Sequence, residues 1–350
     1  MSRLRGLEEL LGPVAAVALL ALISGLVVSS ANQVQYLTAI VYVAIVAALY
    51  LFVGNSGVIS FGQVSFVAVG AFSAGVMTIP IGTKPGVLPT LFSLLRDHSI
   101  SSAWSLALAA GLGGVYAFAV GIPLMRLSGI AAGIATLAVL GITYNLLYNW
   151  NSIGPGATVE SLIPVTTDYW QATLGAVAVI CIAFAYQRSR FGRQLRAARE
   201  DPAAARAAGI DIHRQRLLAF TLSGALSGFA GGLYVHLLGS IGANQVYLDL
   251  TFLTLAMLVV GGISSLFGAV VGAITIALFN ILLVNAQLGI HVFGLAITAP
   301  SGTSLVGIAA VMLAILLVRP RGITGGKEFS IPWARMRRAG VPARAGIESE

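Results

Sequence analysis

Charged side chains are scarce in this sequence. Asp, Glu, Lys and Arg make up 9% of its 350 residues, whereas an ordinary soluble domain carries about 25%. Long apolar windows recur from Pro13 to Val318, and a helix needs about 20 such residues to cross a hydrocarbon layer of about 30 Å. The composition therefore excludes a soluble globular protein and predicts an all-α polytopic membrane protein.

Cysteine and lysine are nearly absent as well. The single cysteine, Cys181, excludes an intramolecular disulfide and a cysteine-based metal site. The two lysines are Lys84 and Lys327, and neither completes the Gly-x-x-x-x-Gly-Lys-Ser/Thr loop that cradles ATP phosphates. The four histidines are scattered and indicate no catalytic or metal cluster. We therefore expect no enzyme activity, no cofactor and no metal in this chain.

Acidic and basic side chains are missing from the middle of every apolar window. Proton-coupled and voltage-coupled proteins usually keep such groups at membrane depth despite their cost, so their absence argues against a proton relay. The net charge of +8 could indicate nucleic-acid binding, but an excess of Arg and Lys in cytoplasmic loops explains it better. We expect the chain to contact a lipid membrane and no nucleic acid.

The basic residues orient the chain. With a cytoplasmic amino terminus, every Lys and Arg except Lys84 and Arg96 falls on the cytoplasmic side, as the positive-inside bias requires. Both termini are then cytoplasmic, with a terminus at 1–10, a membrane domain at 11–318 and a basic tail at 319–350. The apolar windows predict about ten transmembrane helices, near 11–30, 37–53, 63–80, 104–122, 129–147, 170–186, 217–238, 250–265, 267–286 and 304–318.

The two ends of the chain leave alternatives open. Ser29 and Ala31 follow the first apolar run and would suit a cleaved signal peptide, although the charge pattern works with this run retained as a span. The tail carries Trp333 and four arginines after Gly322, at 335, 337, 338 and 344. It could rest on anionic lipid or lack a fixed structure.

The longest cytoplasmic connection, at 187–216, predicts a short capped helix. Asp201 can cap the free N–H groups of a helix, Pro202 suits its first position, and Ala203–Ala208 continue it. Gly209 can then adopt the left-handed conformation that ends a helix. So short a helix is marginal in water, and we expect it to be held by packing against another surface.

Arginines precede this short helix at helical spacing, at Arg193, Arg196 and Arg199. Arg196 and Glu200 could pair, because opposite charges four residues apart meet on a helix surface. A solvated basic loop at the anionic membrane surface would fit the arginines but leaves the capped, Ala-rich helix unexplained.

The loop Ser189–Ile210 has the form S-x-x-G-R-x-L-R-A-x-R-E-D-x-x-A-A-x-x-x-G-I and is followed by Leu218–Phe220, which reads Leu-Ala-Phe. In this it resembles the membrane permease subunits of branched-chain amino-acid ABC importers. The resemblance covers roughly residues 36–323, with the Arg-Glu-Asp loop as its most specific element. Other segments that resemble the family are Gly54–Gln63, Thr136–Leu140, Asn149–Ser152, Gly261–Gly268 and Arg319–Gly322.

The resemblance implies a mechanism and a set of partners. A short cytoplasmic coupling helix would seat in a groove of an ATPase, and closure of two cytoplasmic ABC ATPase subunits, which bind the ATP, would rock a pair of permeases. The second permease is expected to be a different but related chain, with an extracytoplasmic solute-binding protein delivering branched-chain or related amino acids across a bacterial inner membrane. The residues implied in ATPase coupling are Arg199, Glu200, Asp201, Pro202, Ala204, Ala205, Arg206 and Gly209.

Polar residues in and beside the apolar windows are candidates for the translocation path. An irregular, Gly-rich polar segment at membrane depth is tolerated where it is buried in protein or lines a cavity, and a plain cytoplasmic turn is the alternative for this one. The Gly-x-x-x-Gly stripe at Gly224, Gly228 and Gly232 predicts close helix packing. The path candidates are Asn55, Ser60, Gln63, Ser65, Thr136 and Asn145.

The outer loop from Tyr148 to Asp168 contains Glu160 and could dock a binding protein or be an ordinary solvated connection. The main competing function is a secondary transporter of a small neutral solute, which can share the span count and Gly-rich helices. Such proteins typically couple through intramembrane ions or carboxylates, and this sequence places none there.

Overall fold

The computed structural model describes residues 2–27, 33–288, 290–292, 295–297, 300 and 302–329. The all-α polytopic class is confirmed, and each predicted span corresponds to one helix. The helices are α1 (Ser2–Val27), α2 (Gln33–Ser56), α3 (Gln63–Thr78), α4 (Lys84–Val87), α5 (Ser93–Arg96), α6 (Ser102–Leu124), α7 (Gly129–Asn149), α8 (Tyr169–Arg188), α9 (Arg190–Glu200), α10 (Pro202–Ala207), α11 (Ile212–Leu238), α12 (Leu248–Gly261), α13 (Leu266–Leu288) and α14 (Thr303–Val318).

Eight segments within these ranges are long and apolar enough to cross a membrane. Two further apolar helices, α3 and α14, are each 16 residues long. Helix α12 has only 14 residues and is extended at its start by a 3-10 turn at Ala243–Val246. The number of crossings, about ten, therefore stays a prediction.

Helices α2 and α11 form the centre of the bundle. The apolar stretch of α2 is 89% buried and that of α11 is 72% buried, whereas the stretches of α6, α7 and α8 are 33–39% buried. From Ala39 to Val53, α2 carries only apolar residues and two tyrosines on all sides, which is the pattern of a helix surrounded by others. The flanking helices leave their outer faces to lipid or to a partner.

Glycine allows the closest helix contacts in the bundle. A Cβ atom on Gly228 of α11 would lie 2.3 Å from the carbonyl oxygen of Ala109 in α6. A Cβ atom on Gly70 of α3 would lie 2.1 Å from the carbonyl oxygen of Gly228. The backbones of α3, α6 and α11 therefore touch, and the packing interpretation of the glycine stripe is confirmed.

The segments predicted to be cytoplasmic meet at one end of the bundle. Glu9 of α1 pairs with Arg188 of α8 at 2.6 Å, and Arg216 of α11 donates to the carbonyl oxygen of Leu127 after α6 at 3.3 Å. At the opposite end, the N–H of Phe92 donates to the carbonyl oxygen of Ser152 at 3.1 Å. These loops lie at the ends of the bundle that the distribution of basic residues predicts. The assignment of the basic end to the cytoplasm stays a prediction.

Several boundaries differ from the sequence-based expectation. Helix α1 begins at Ser2 and so includes residues 2–10, while the boundary between a cytoplasmic terminus and the membrane domain stays a prediction. Helix α11 begins at Ile212, because the side chain of Asp211 caps the N–H of Arg214 at 3.1 Å. Two short outer helices, α4 and α5, and an antiparallel pair, β1 (Ile290–Val292) and β2 (Leu295–Ile297), were not predicted.

The first part of the basic tail folds back onto the bundle. The N–H of Ile323 donates to the carbonyl oxygen of Val260 in α12 at 2.8 Å, and Thr324 Oγ1 donates to that of Gly261 at 2.9 Å. The two terminal alternatives, a cleavage site at Ser29 and Ala31 and a lipid-bound tail at 330–350, fall outside the described residues.

Candidate functional site: a capped helix at the basic end

The short helix in the 187–216 connection forms almost as predicted, over Pro202–Ala207. The Asp201 carboxylate accepts hydrogen bonds from the N–H groups of Ala203 at 2.8 Å and Ala204 at 3.0 Å. Pro202 occupies the first helical position, where its missing N–H costs nothing. The cap, the proline and the alanines thus act together to start a helix of six residues.

The end of α10 is equally well defined. Gly209 has a φ of +78°, the left-handed conformation that favours glycine. The N–H of Ile210 donates to the carbonyl oxygen of Ala205 at 3.0 Å, and the N–H of Gly209 donates to that of Arg206 at 2.9 Å. This pair of bonds is the Schellman arrangement, which satisfies carbonyl groups that a helix end leaves free.

Helix α10 is exposed on almost all sides. Ala205 is 5% exposed and anchors the helix, whereas Pro202, Ala204 and Arg206 are exposed. The side chain of Glu200, just before the cap, is 82% exposed. A two-turn helix has little stability of its own in water, so both caps and the Ala205 anchor are needed to hold this small, flat, Ala-rich surface.

Unlike the exposed residues of α10, Arg199 bonds to another part of the bundle. Its guanidinium Nη1 donates to the carbonyl oxygen of Gly54, near the end of α2, at 2.6 Å. Its aliphatic stem covers Gly57, where an added Cβ would lie 2.8 Å from Arg199 Cγ and where φ is +71°. Arg199 therefore joins the base of α10 to the segment between α2 and α3.

The expected ion pair between Arg196 and Glu200 does not form. Arg196 donates to the carbonyl oxygen of Gln187 at 2.6 Å, which satisfies a free carbonyl group at the end of α8. Within the described residues, Glu200 has one ion pair, a long one of 4.0 Å with Arg199.

Gln187 is the centre of a buried network that the sequence did not reveal. Its Oε1 accepts a hydrogen bond from Tyr50 Oη at 2.9 Å, and its Nε2 donates to Glu328 at 3.3 Å. The Glu328 carboxylate also accepts from the N–H groups of Leu266 at 2.9 Å and Phe267 at 3.2 Å. Glu328 thus caps the start of α13, while burial raises the pKa of its carboxyl group.

The predicted path residues of the α2–α3 region all lie in the interior of the bundle. Asn55, Ser60, Gln63 and Ser65 are each at most 3% exposed. Gln63 Nε2 donates to Ser223 of α11, whose hydroxyl donates to the carbonyl oxygen of Ala48 at 2.6 Å. Gln63 and Ser223 thus link α3, α11 and α2, and we refer to these buried polar side chains of the α2–α3 region, with Ser223, as the polar layer.

Thr136 of α7 joins this region, and Asn145 does not. Thr136 Oγ1 accepts a hydrogen bond from the N–H of Phe61 at 3.1 Å and holds the irregular segment 57–62 against α7. Asn145 is exposed, and its side-chain amide donates to the carbonyl oxygen of Gly141 at 2.8 Å. It lies on the outward face because two residues after Thr143 rotate a helix by about 200°.

Three atoms of the polar layer lack a hydrogen-bond partner in the described structure. They are Asn55 Oδ1, Ser60 Oγ and Gln63 Oε1. A buried polar atom without a hydrogen-bond partner carries a desolvation cost of about 1–3 kcal/mol, so these atoms are free to bond to water or to a polar solute in this region.

A cleft of about 650 Å³ opens beside the same segment. Ile59 and Phe61 form one edge, and α12, α13 and α14 form the rest together with Tyr42 of α2 and Gln245 of the 3-10 turn. The cleft is mainly apolar, with polar groups from Gln245, Asp249 and Asn280. Sequence reasoning missed it because its residues come from helices far apart in the chain.

The outer loop does not present Glu160 to solvent, as a docking surface would require. Glu160 is fully buried, and its backbone pairs with Ile241 through bonds of 2.8 and 2.9 Å. Its side-chain oxygens have no hydrogen-bond partner among the described residues. Burial raises the pKa of the Glu160 carboxyl group well above its ordinary value, and the Lys84 ammonium partly offsets this.

The bundle and its basic end define a polytopic membrane protein that presents a small capped helix to the aqueous phase. Within that class, the chain belongs to the family described as the permease component of branched-chain amino acid transport systems, whose family model matches residues 32–318.

The chain is also similar to individual proteins that are named as permeases. The chain is 28% identical over 269 residues to the permease protein LivM of the high-affinity branched-chain amino acid transport system of Escherichia coli strain K12, a match covering 67% of this chain and 59% of that relative. It is 26% identical to the probable branched-chain amino acid transport permease protein LivM of Methanocaldococcus jannaschii, covering 80% and 89%. The autoinducer 2 import system permease protein LsrC of Enterobacter sp. strain 638 is 27% identical, covering 60% and 64%. No solved structure matches the chain significantly.

Proposed function

We propose that this chain is the permease subunit of an ATP-driven importer in a bacterial cytoplasmic membrane, and that α10 is the helix that docks a separate ATPase. The observation that carries the proposal is the exposed α10, closed by Asp201 at one end and Gly209 at the other. A helix this short has little stability of its own in water and gains it from packing against another surface. A partner protein is the surface that fits. The second permease and the external binding protein belong to the same proposal.

Arg199 gives a route from the ATPase to the interior. It is three residues before Pro202, the first residue of α10, and its guanidinium donates a hydrogen bond to the carbonyl oxygen of Gly54 at 2.6 Å. A displacement of α10 would pull on the end of α2 and on segment 57–62, which borders both the polar layer and the cleft. We infer that this contact transmits the movement of the ATPases to the path.

The proposed substrate is a branched-chain or related amino acid. The apolar walls of the cleft suit an aliphatic side chain, and Asp249 and the two amide side chains suit the ammonium and carboxylate groups. The relatives named for branched-chain amino acid transport favour this class, while the relative named for autoinducer 2 import makes a different polar solute the alternative.

Charge reversal tests the docking proposal. Glu200→Lys and Asp201→Lys are expected to weaken association of the partner ATPase with the permease and to reduce ATP-dependent uptake in proteoliposomes. Asp97→Lys is the matched control, because Asp97 is an exposed acidic residue at the opposite end of the bundle, with a side chain 61% exposed. Unchanged association and uptake in both test variants would contradict the proposed docking. Uptake that needs an ion gradient and no ATPase would favour a secondary transporter.

A further inference from the structure

A second groove lies on the outer surface of the bundle, away from the cleft. One wall is a continuous stripe of α11, and Phe118 of α6, Tyr186 of α8 and Phe191 of α9 complete it around a volume of about 580 Å³. Phe118 and Leu218 are 49% and 41% exposed, so the groove faces the surroundings of the bundle. The stripe on α11 consists of Arg214, Leu217, Leu218, Thr221, Leu222 and Ala225.

The length of the groove matches one leaflet of a bilayer. At a rise of about 1.5 Å per residue, the stretch from Arg214 to Ala225 is about 16 Å long. Half of a hydrocarbon core of about 30 Å is about 15 Å. The groove therefore starts at the basic end of the bundle and ends near the middle of the membrane, as an acyl chain of that leaflet does.

The mouth of the groove is cationic. Arg214 is exposed and has no ion pair or side-chain hydrogen bond within the described residues, and the exposed guanidinium of Arg190 lies 4.8 Å from the centre of the Phe191 ring. An anion at this position would relieve the concentration of positive charge.

Hydroxyl groups inside the groove lack partners. Tyr186 is 8% exposed, and neither its hydroxyl group nor that of Thr221 has a hydrogen-bond partner in the part of the chain that the structure describes. Both residues line the groove. Hydroxyl donors below a cationic mouth suit the ester oxygens that lie between a phosphate group and an acyl chain.

We propose that this groove binds one anionic phospholipid of the leaflet at the basic end, with the phosphate at Arg214 and Arg190 and an acyl chain along α11. The bound lipid fills the space between α6, α8, α9 and α11. It thereby supports α9, the helix that carries Arg199 toward α10, and its presence does not depend on which solute the permease moves.

The test is selective retention of lipid by the purified full-length chain. The permease is exchanged into detergent with equal amounts of dioleoyl phosphatidylglycerol and dioleoyl phosphatidylcholine, and retained lipids are counted by native mass spectrometry. The wild type is expected to retain one phosphatidylglycerol preferentially. Arg214→Gln is expected to lower this preference by about fivefold, the effect of one basic residue near anionic lipid, and Arg214→Lys to restore most of it.

Two further variants distinguish occupation of the apolar groove from a nonspecific effect of surface charge. Leu222→Trp fills the middle of the groove and is expected to reduce retention while Arg214 is intact. Arg193→Gln removes an exposed arginine of α9 that bonds the carbonyl oxygen of Arg188 at 2.6 Å, and it is expected to leave retention unchanged. Equal retention of both lipids, equal loss in the Arg193 and Arg214 variants, or displacement of the signal by millimolar inorganic phosphate alone would each overturn the proposal.

Discussion

Removing the cap of α10 gives the sharpest test of how this helix works. Asp201→Ala deletes both side-chain hydrogen bonds, at 2.8 and 3.0 Å, and loss of an N-cap of this kind costs about 1 kcal/mol. A helix of six residues has little stability of its own in water. If the ATPase binds the folded helix, the lost capping energy therefore appears as weaker binding. Binding of the ATPase is expected to weaken by about fivefold.

Changing the other end of the helix gives an independent measure. An alanine at Gly209 would meet no atom within 4 Å, so Gly209→Ala adds no clash and acts only through the left-handed backbone. That conformation costs roughly 1–2 kcal/mol for a residue with a Cβ atom. The expected loss of affinity is therefore about fivefold to thirtyfold.

The assay is the dissociation constant of the purified ATPase for the permease in lipid nanodiscs. Asp201→Asn is the matched control, since asparagine keeps a side-chain oxygen that can cap the helix while removing the charge. The capping explanation requires the asparagine variant to bind nearly as well as the wild type. Equal weakening by alanine and asparagine would refute it and assign a direct charge contact to Asp201, and unchanged binding in Asp201→Ala and Gly209→Ala would refute any role of the folded helix.

Three further predictions concern the interior and the ends of the bundle. Gly228→Ala is expected to destabilise the protein by about 1–3 kcal/mol, because the new Cβ meets backbone atoms of α6. Gly111→Ala is the control, since its Cβ meets no atom within 4 Å and should leave stability unchanged. Thermal unfolding in detergent measures both. Because burial raises the pKa of Glu160, the folded protein is expected to lose stability as pH rises from the ordinary carboxyl pKa of 4.5 toward the raised value. Glu160→Gln should flatten this part of the profile of stability against pH. An unchanged profile would contradict the raised pKa of Glu160. Arg199→Gln is expected to leave ATPase binding within about twofold while uptake falls by about tenfold or more, since a charged hydrogen bond is worth about 1.5–3 kcal/mol. Parallel loss of binding and uptake would place Arg199 in the docking surface instead.

The sequence was informative where the determining interactions are local. Asp201, Pro202 and Gly209 act on backbone groups within a few residues, so the position and both caps of α10 could be predicted to within one residue. The spans could be predicted for a related reason, because apolar composition over about 20 residues decides whether a helix suits the membrane.

The sequence was uninformative where one residue meets another far along the chain. Arg199 reads as one of several arginines in a basic loop, and only the fold brings its guanidinium to Gly54. Glu160 reads as an exposed loop carboxylate, and its burial depends on pairing with Ile241. Asn145 was chosen for its polarity, which gives no information about which face of α7 points inward.

The cap that Glu328 places on α13 makes the order of chain synthesis matter for assembly. The N–H groups of Leu266 and Phe267 leave the ribosome well before the carboxylate that satisfies them. Until residue 328 is available, the start of α13 must rely on water or lipid headgroups for these bonds. The start of α13 is thus completed by one of the last described residues to be made, and tags or truncations placed before residue 328 would leave it permanently open.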